Sequence, residues 1–511
     1  MISGARLRRA VRRETIGVDV GAALNLVGAL VKYLSLAFLF PVPFALWYGE
    51  SPWPFLAAGA ITAASGFSLE RLSRGKERVG TREGFLVVAL TWLSAAFFGA
   101  LPYVLSGEAQ FSNPTNAFFE GMSGFTTTGA SILTDIEALP RALLMWRQFT
   151  QWLGGMGIIV LALAVLPRLR VGGRQLFESE VPGSEMERLT ASIRETARRL
   201  WVLYLALTAV LVGLLAGYGL SGIDDEMTPF DALAHALTTM PTGGFSPRAA
   251  SLGAFGSATQ WTVIVFMLVA GTNFALLYTV LVRRRGRSLL RDEEVRLYVG
   301  VAVLASLLLF GDLTAKRILE GEEALRHSAF QTVSLLTTTG YASVDYVQWP
   351  TLAAVGLVGL MFIGGSAGST AGSIKIVRHL LIGKILRREL DLAVHPEIVS
   401  PVRFSHRPVD EKTLRAVIAF VLLYVGMFAV GALLITIDAA VGNRQVTPFE
   451  AIAAAATALG NVGPAYGFAG PFGSFEPFSG FSKAVLMVLM WAGRLEIITV
   501  TVLFTRRYWR T

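Results

Sequence analysis

Long apolar runs separated by short polar connections dominate the chain. Runs long enough to cross a hydrocarbon core of about 30 Å, which takes roughly 20 helical residues, lie at 22–48, 52–70, 84–106, 143–167, 200–220, 257–282, 296–313, 351–378, 414–437 and 481–505. The pattern predicts an all-α polytopic membrane protein with ten transmembrane helices. The first run follows Arg6, Arg8, Arg9, Arg12 and Arg13 and lacks a small-residue cleavage site, so it reads as a retained helix, not a signal peptide.

Four connections are not ordinary loops. FFEGMSGFTTTGAS from Phe118, DALAHALTTMPTGGFS from Asp231, HSAFQTVSLLTTTGYAS from His327 and AIAAAATALGNVGPAYG from Ala451 each hold a moderately apolar, helix-like stretch ending in a Thr/Gly cluster. At about 10–14 residues these half-helices are too short to cross, so each is predicted to enter the membrane and return on one side. Aligned on Gly129, Gly243, Gly340 and Gly463 they stand 114, 97 and 123 residues apart. Such intervals do not suit a solenoid, but each contains one descending span, one basic loop and one ascending span. The unit is helix, re-entrant half-helix with loop, helix. It is used four times, at 76–175, 176–290, 291–395 and 396–511, after a two-helix piece at 1–75. Irregular backbone at membrane depth is tolerated only where it is buried in protein or lines a wet cavity. Four such loops can converge on one axis, around a single pseudo-fourfold pore.

Charge fixes the orientation. A net charge of +9 could signal nucleic acid, so the location of the basic residues decides. Of the 45 Lys and Arg, 35 fall in 1–15, 71–82, 168–199, 283–296, 375–415 and 506–510, all on the same side if every span crosses once. Basic residues accumulate in cytoplasmic loops, so both termini are expected in the cytoplasm. Acidic clusters such as Asp224, Asp225, Glu226, Glu320, Glu322 and Glu323 fall on the other side. The positive charge is then a topology signal, and the partner it implies is the lipid bilayer, with no nucleic acid. A composition 53% hydrophobic and 16% charged excludes an ordinary soluble enzyme, whose charged share is about 25%. Cysteine is absent, which removes disulfides, iron–sulfur clusters and thiolate zinc sites.

The Thr/Gly clusters suit a dehydrated cation. A filter replaces the hydration shell with backbone carbonyls, and turning successive carbonyls inward requires dihedrals of alternating sign, which glycine permits. Thr128, Thr242 and Thr339 precede the aligned glycines and can add hydroxyl oxygens, whereas the fourth cluster has Val462. Each half-helix ends toward its loop, so its partial negative pole faces the ion. No Asp or Glu lies within the clusters, which argues against a carboxylate ring built for Ca²⁺ or Mg²⁺. One TTTG can be a mere turn; four aligned copies between spans are harder to explain that way. Glu120, His235 and His327 read as bracing or mouth residues.

Two features lie deeper. Residues 364–373, GGSAGSTAGS, hold so many small side chains that they fit a flexible intramembrane loop, and equally a close helix contact. Arg494 sits inside the last span, where a charge costs on the order of 2.5–3.5 kcal/mol, so it must face protein or water. There it would repel a cation in a closed pore or hold the small-residue loop. Glu496 is the nearest acid, but two residues along a helix it faces elsewhere.

TTTGAS at 126–131, PTGGFS at 241–246, TTTGYAS at 337–343 and NVGPAYG at 461–467 resemble the four filter sequences of the Trk/Ktr/HKT superfamily of potassium transporters. QWLGGMGI from Gln151, AGTNFALLY from Ala270 and GGSAGSTAGSIK from Gly364 are similar to its inner helices, and the likeness covers about residues 80–505. The two extra N-terminal spans favour the TrkH type over the shorter KtrB type. The resemblance implies K⁺ uptake across a bacterial inner membrane, as glycine in all four filters goes with K⁺ preference. The implied K⁺ filter is Thr127, Thr128 and Gly129; Thr242 and Gly243; Thr338, Thr339 and Gly340; and Asn461, Val462 and Gly463. It also implies that Gly364, Gly365, Ser366, Ala367, Gly368 and Ser369 form a gate beneath the filter with Arg494, that the chain is a homodimer, and that a cytosolic nucleotide-binding TrkA-type regulator docks on the basic loops at 168–199, 283–296 and 375–415. Pro241 departs from the more usual Ser or Val, and its missing N–H alters how that loop can be braced.

K⁺ is the cargo, and no organic cofactor is implied. GxxxxGK[ST], HExxH and a placed Ser/His/Asp triad are all missing from the sequence, so the chain is not read as an enzyme. A hydrolase with Ser366 or Ser369 as nucleophile would lack a base and leave the fourfold pattern unexplained. A K⁺ symporter coupled to H⁺ or Na⁺ fits the same architecture.

Overall fold

The computed structural model describes residues 18–73, 80–164, 193–405 and 407–510. Apart from a short hairpin pairing Arg403–Phe404 with Arg407–Pro408, its regular elements are helices. In lipid a helix satisfies its own backbone polar groups, so an apolar run has no cheaper form. Five helices are long and apolar enough to cross on their own: Val20–Tyr48, Arg82–Ser106, Glu195–Ser221, Glu293–Ala315 and Glu411–Val441. Their outward residues, among them Val303, Leu304, Leu308, Leu422, Val430 and Leu433, are exposed and apolar, as a lipid-facing surface requires. The basic segments at 1–15 and 168–192 lie outside the described residues, as do Arg74, Lys76 and Arg78.

The predicted repeat is present four times. The first helices of the units are Thr81–Gly99, Ile193–Ser221, Glu293–Ala315 and Glu411–Val441, and the half-helices are Pro114–Phe125, Pro229–Thr239, Gly321–Leu336 and Pro448–Gly460. Three half-helices open on a proline behind a capping side chain: Asn113, Thr228 and Thr447 accept from the first-turn amides, which satisfies donors a buried helix end would leave orphaned. The third has 16 residues, longer than the sequence pattern suggests, because its polar start at Glu322 and Glu323 carries no hydrophobic signal.

The second helices of the second and fourth units correct the expectation of uninterrupted spans, and that of the third breaks where residues 364–373 suggest a loop. Only that of the first unit, Arg141–Ala164, runs unbroken among the described residues. The run at 257–282 is two helices, Ser257–Ala270 and Phe274–Leu281, bent by 109°, and the run at 481–505 bends by 112° after Arg494. The run at 351–378 stops at Leu360, and helix resumes only at Ile376. Each break has a local cause. Asn273 caps a new helix by accepting from Ala275 N and Leu276 N. Glu496 and Ile497 both take positive φ, at 61° and 47°, which ends any right-handed helix. Residues 364–373 supply the small side chains.

The N-terminal piece packs on the first unit. Its helices Val20–Leu34 and Trp53–Leu72 cross where Gly28 and Gly66 leave no room for a side chain, a small-residue contact. Phe38 then stacks on Trp146 at 4.6 Å, and Glu50 accepts from Arg141 N and Ala142 N.

Candidate functional site

The four Thr/Gly turns share one backbone plan. After each half-helix an amide closes on the carbonyl five residues back: Thr128 on Ser123, Gly243 on Thr238, Thr339 on Ser334 and Val462 on Thr457, at 2.8–2.9 Å. The residue before takes positive φ in every copy, Thr127 at 51°, Thr242 at 55°, Thr338 at 56° and Asn461 at 53°. The residue after does so again, Gly129 at 84°, Gly244 at 79°, Gly340 at 79° and Gly463 at 114°. The alternation that a ring of inward carbonyls demands is therefore present four times.

This geometry corrects the alignment. Gly244, not Gly243, is the counterpart of Gly129, Gly340 and Gly463. PTGG offers two glycines, and sequence matching takes the first; the hydrogen bond from Gly243 N to Thr238 O puts Gly243 at the level of Thr128, Thr339 and Val462. Thr242 is accordingly the counterpart of Thr127.

The turns gather about one centre. A Cβ added to Gly129 would collide with the Gly243 carbonyl oxygen, one on Gly244 with that of Thr339, one on Gly340 with that of Val462, and one on Gly463 would press on that of Thr128. First unit meets second, second third, third fourth and fourth first, which closes a ring. The same four glycines line one open vestibule, with Arg147, Phe245 and Pro464 in its wall.

Buried polar side chains behind the ring hold it. Glu120, eight residues before Thr128, is fully buried and pairs with buried Arg147 at 2.7 Å, while Ser131 Oγ donates to it. At the matching position of the second unit, His235 contacts Ser246 Oγ at 3.0 Å, and in the third Gln331 Nε2 donates to Ser343 Oγ at 3.2 Å. His327 also meets Ser343 Oγ, at 2.7 Å. Glu120, His235 and His327 are thus packed as braces. Among the described residues no group of three or more His, Asp or Glu could hold a metal ion.

Residues 361–375 form the loop anticipated around Gly364, Gly365, Ser366, Ala367, Gly368 and Ser369, and it lies directly under the ring. Gly372 N donates to Thr338 Oγ1 at 2.6 Å, and Thr370 Oγ1 donates to Met240 O at 3.0 Å. Gly372 packs on the Gly460 carbonyl. Arg494, buried at 2% exposure, donates to Thr370 O at 2.8 Å and reaches Gly154 O at 3.4 Å. Its partner on the loop is thus Thr370, one residue beyond the named stretch. Glu496 pairs with Arg378 at 2.5 Å instead. Ser369 Oγ donates to Ser366 O and not to a base.

Three residues missed by sequence reasoning complete the site. Glu294, buried at 2% exposure, accepts from Ala367 N at 2.6 Å; in sequence it is an ordinary acid in a helix first turn. Asn273 Nδ2 donates to Ala367 O at 2.7 Å, and an Asn inside an apolar run was the signal for its break. Gln151 Nε2 donates to Gly243 O at 2.7 Å.

Comparison with known proteins agrees with this architecture. A family model described as TrkH, cation transport protein, matches residues 54–510. The chain is 38% identical to the "Trk system potassium uptake protein TrkH" of Halomonas elongata over 497 residues, 95% of this chain and 98% of that one. It is also 38% identical to the protein so named in Escherichia coli K12, across 96% and 99%. The crystal structure of the potassium transporter TrkH from Vibrio parahaemolyticus superposes with a TM-score of 0.85 at 34% identity, covering 96% of this chain and 99% of that one.

Proposed function

Because the chain belongs to the TrkH family of cation transport proteins, we propose that it is the membrane subunit of a potassium uptake system, in which K⁺ passes through the ring of four turns. The observation that carries this reading is the closed circle of glycines, each packed against a carbonyl of the next unit, with backbone twist alternating at all four places. Such a ring offers peptide oxygens in place of water, and its neutral ligands suit a monovalent ion. Uptake needs no chemistry on the chain: a negative interior supplies about 2.3 kcal/mol per charge per 100 mV.

The loop at 361–375 is the gate in this reading. It closes the path under the ring, and Arg494 puts a fixed cation beside it, where an ion in transit is repelled and the loop is tethered. The chain sits in the bacterial inner membrane with both termini cytoplasmic, works as a homodimer, and takes its signal from a TrkA-type nucleotide-binding regulator on the cytosolic face. The exposed basic segment from Arg283 to Arg291 and the helix Ile376–Val394 are among the described parts of that face.

The test is ⁸⁶Rb⁺ and ²²Na⁺ flux into liposomes holding the purified chain, with and without a regulator. Rb⁺ uptake exceeding Na⁺ uptake, and following an imposed potential to the K⁺ equilibrium value, is expected. Equal uptake of both ions would overturn the filter. A reversal potential that moves with the H⁺ or Na⁺ gradient would replace the channel by a coupled symporter.

A further inference from the structure

The four turns are not braced alike. In the first and third units the turn is tied by its own side chains: Thr126 Oγ1 shares a hydrogen bond with Thr128 Oγ1, and Thr337 Oγ1 with Thr339 Oγ1, both at 2.7 Å. The second unit has Pro241 and Gly243 at these two places and can form no such pair. Gln151, from the second helix of the first unit, supplies the missing tie. Its Nε2 donates to Gly243 O at 2.7 Å and its Oε1 accepts from Phe245 N at 3.1 Å, so both ends of a fully buried amide are used on one turn. A Cβ at Gly243 would collide with Gln151 Oε1: the amide occupies the space that a side chain at 243 would need. The carbonyl that Gln151 holds is also the one against which Gly129 packs, so a single side chain fixes the seam between two quarters of the ring.

Thr242 sits at positive φ, a conformation non-glycine residues keep only when their surroundings over-determine it. Its sister residues Thr127 and Thr338 each stand between two paired threonines; Thr242, whose own hydroxyl donates to Pro241 O and Thr370 Oγ1, is followed by the residues that Gln151 holds.

We propose that Gln151 is a positioning residue for cation selectivity, standing in for the threonine pair of the first and third units. The inference rests on the filter reading above. Gln151→Met keeps the length of the side chain and removes both hydrogen bonds. Its Rb⁺/Na⁺ flux ratio in liposomes is expected to fall about fivefold to thirtyfold, the worth of one to two net hydrogen bonds, while total cation flux persists. The triple variant Gln151→Ala, Pro241→Thr, Gly243→Thr restores a threonine pair and vacates the space it needs. It is expected to be clearly more selective than Gln151→Ala alone. An unchanged ratio in Gln151→Met, or a triple variant no more selective than Gln151→Ala, overturns the proposal. Should Gln151→Met fail to yield monodisperse protein, recovery of folded, Rb⁺-selective protein in the triple variant supports it and non-recovery overturns it. An unsubstituted chain that passes Na⁺ as readily as Rb⁺ sinks the filter reading itself, so the two failures are told apart by the wild type.

Discussion

Arg494 gives the sharpest test of the gate. Its guanidinium is buried and donates to Thr370 O at 2.8 Å, a charge-assisted bond to a neutral carbonyl, for which about 1.5–3 kcal/mol is typical. Removing it with Arg494→Ala lowers the stability of the closed loop by that amount, so basal Rb⁺ flux without a regulator should rise roughly 10- to 150-fold, until the open fraction saturates. A second contribution has the same sign, since a fixed positive charge no longer stands in the ion's way. Two conservative variants separate these causes. Arg494→Lys keeps the charge but loses the fork that spans Thr370 O and Gly154 O, whereas Arg494→Gln keeps a donor and loses the charge. If tethering dominates, the Gln variant stays more nearly closed; if repulsion dominates, the Lys variant does. Flux is measured in liposomes at matched protein content, after size-exclusion chromatography shows intact protein. An intact Arg494→Ala variant with wild-type basal flux refutes the assignment.

Gly244→Ala forces a Cβ into the Thr339 carbonyl from a φ of 79°. Left-handed backbone costs about 1–2 kcal/mol for such a residue and overpacking about 1–3 kcal/mol, so Rb⁺/Na⁺ selectivity should fall at least about tenfold. Gly243→Ala carries no left-handed backbone cost but displaces the Gln151 amide, so it should cost about what Gln151→Met costs and less than Gly244→Ala; losses equal to those of Gly244→Ala would refute the register that puts Gly244 in the ring. Glu294→Ala takes away the acceptor of Ala367 N and should raise basal flux about tenfold, with Glu294→Gln, which keeps an acceptor, in between. Wild-type flux in intact Glu294→Ala would show that the loop is not latched there.

The architecture was legible because lipid permits so few solutions. Ranges of apolar residues, Lys and Arg placement, and four half-helices too short to cross lead from sequence to the repeat with little freedom left. The register of the second turn was not legible: PTGG has two glycines, and only the hydrogen bond from Gly243 to Thr238 tells them apart. The breaks in the second helices were half legible. Residues 364–373 announce theirs through composition, but Glu496 and Ile497 look like ordinary helix positions, and their left-handed backbone is imposed by what surrounds them. Among the braces, Glu120, His235 and His327 were visible from their place on the half-helices, but Gln151 and Glu294 were not, since they gain their roles from partners 92 and 73 residues away, a separation at which local pattern is silent.

The loop's bonds also say from where it can be moved. Its near half is pinned to the break in the second unit's second helix. Ser366 N donates to Gly271 O, Asn273 Nδ2 to Ala367 O and Phe274 N to Gly368 O, at 2.7–3.2 Å. Its far half hangs from the ring and from Arg494 through Thr370 and Gly372. In the gate reading the loop cannot drop as a free strap, because clearing the path means parting one of these two sets, the near one including the bond from Ala367 N to Glu294 of the third unit. The set on residues 366–368 leads directly into the short helix Phe274–Leu281, which runs on to the basic segment at Arg283. Were a cytosolic partner to pull on that segment, the pull would reach Ala367 and Gly368 through eight helical residues before it reached the bond between Gly372 and Thr338. A pull on the helix Ile376–Val394 would act on the opposite end of the loop, where Gly372 is bonded to the ring, and so would disturb Thr338 first. On the gate and filter proposed above the two routes would therefore differ in consequence: the first would open the path with the ring intact, and the second only by loosening the ring.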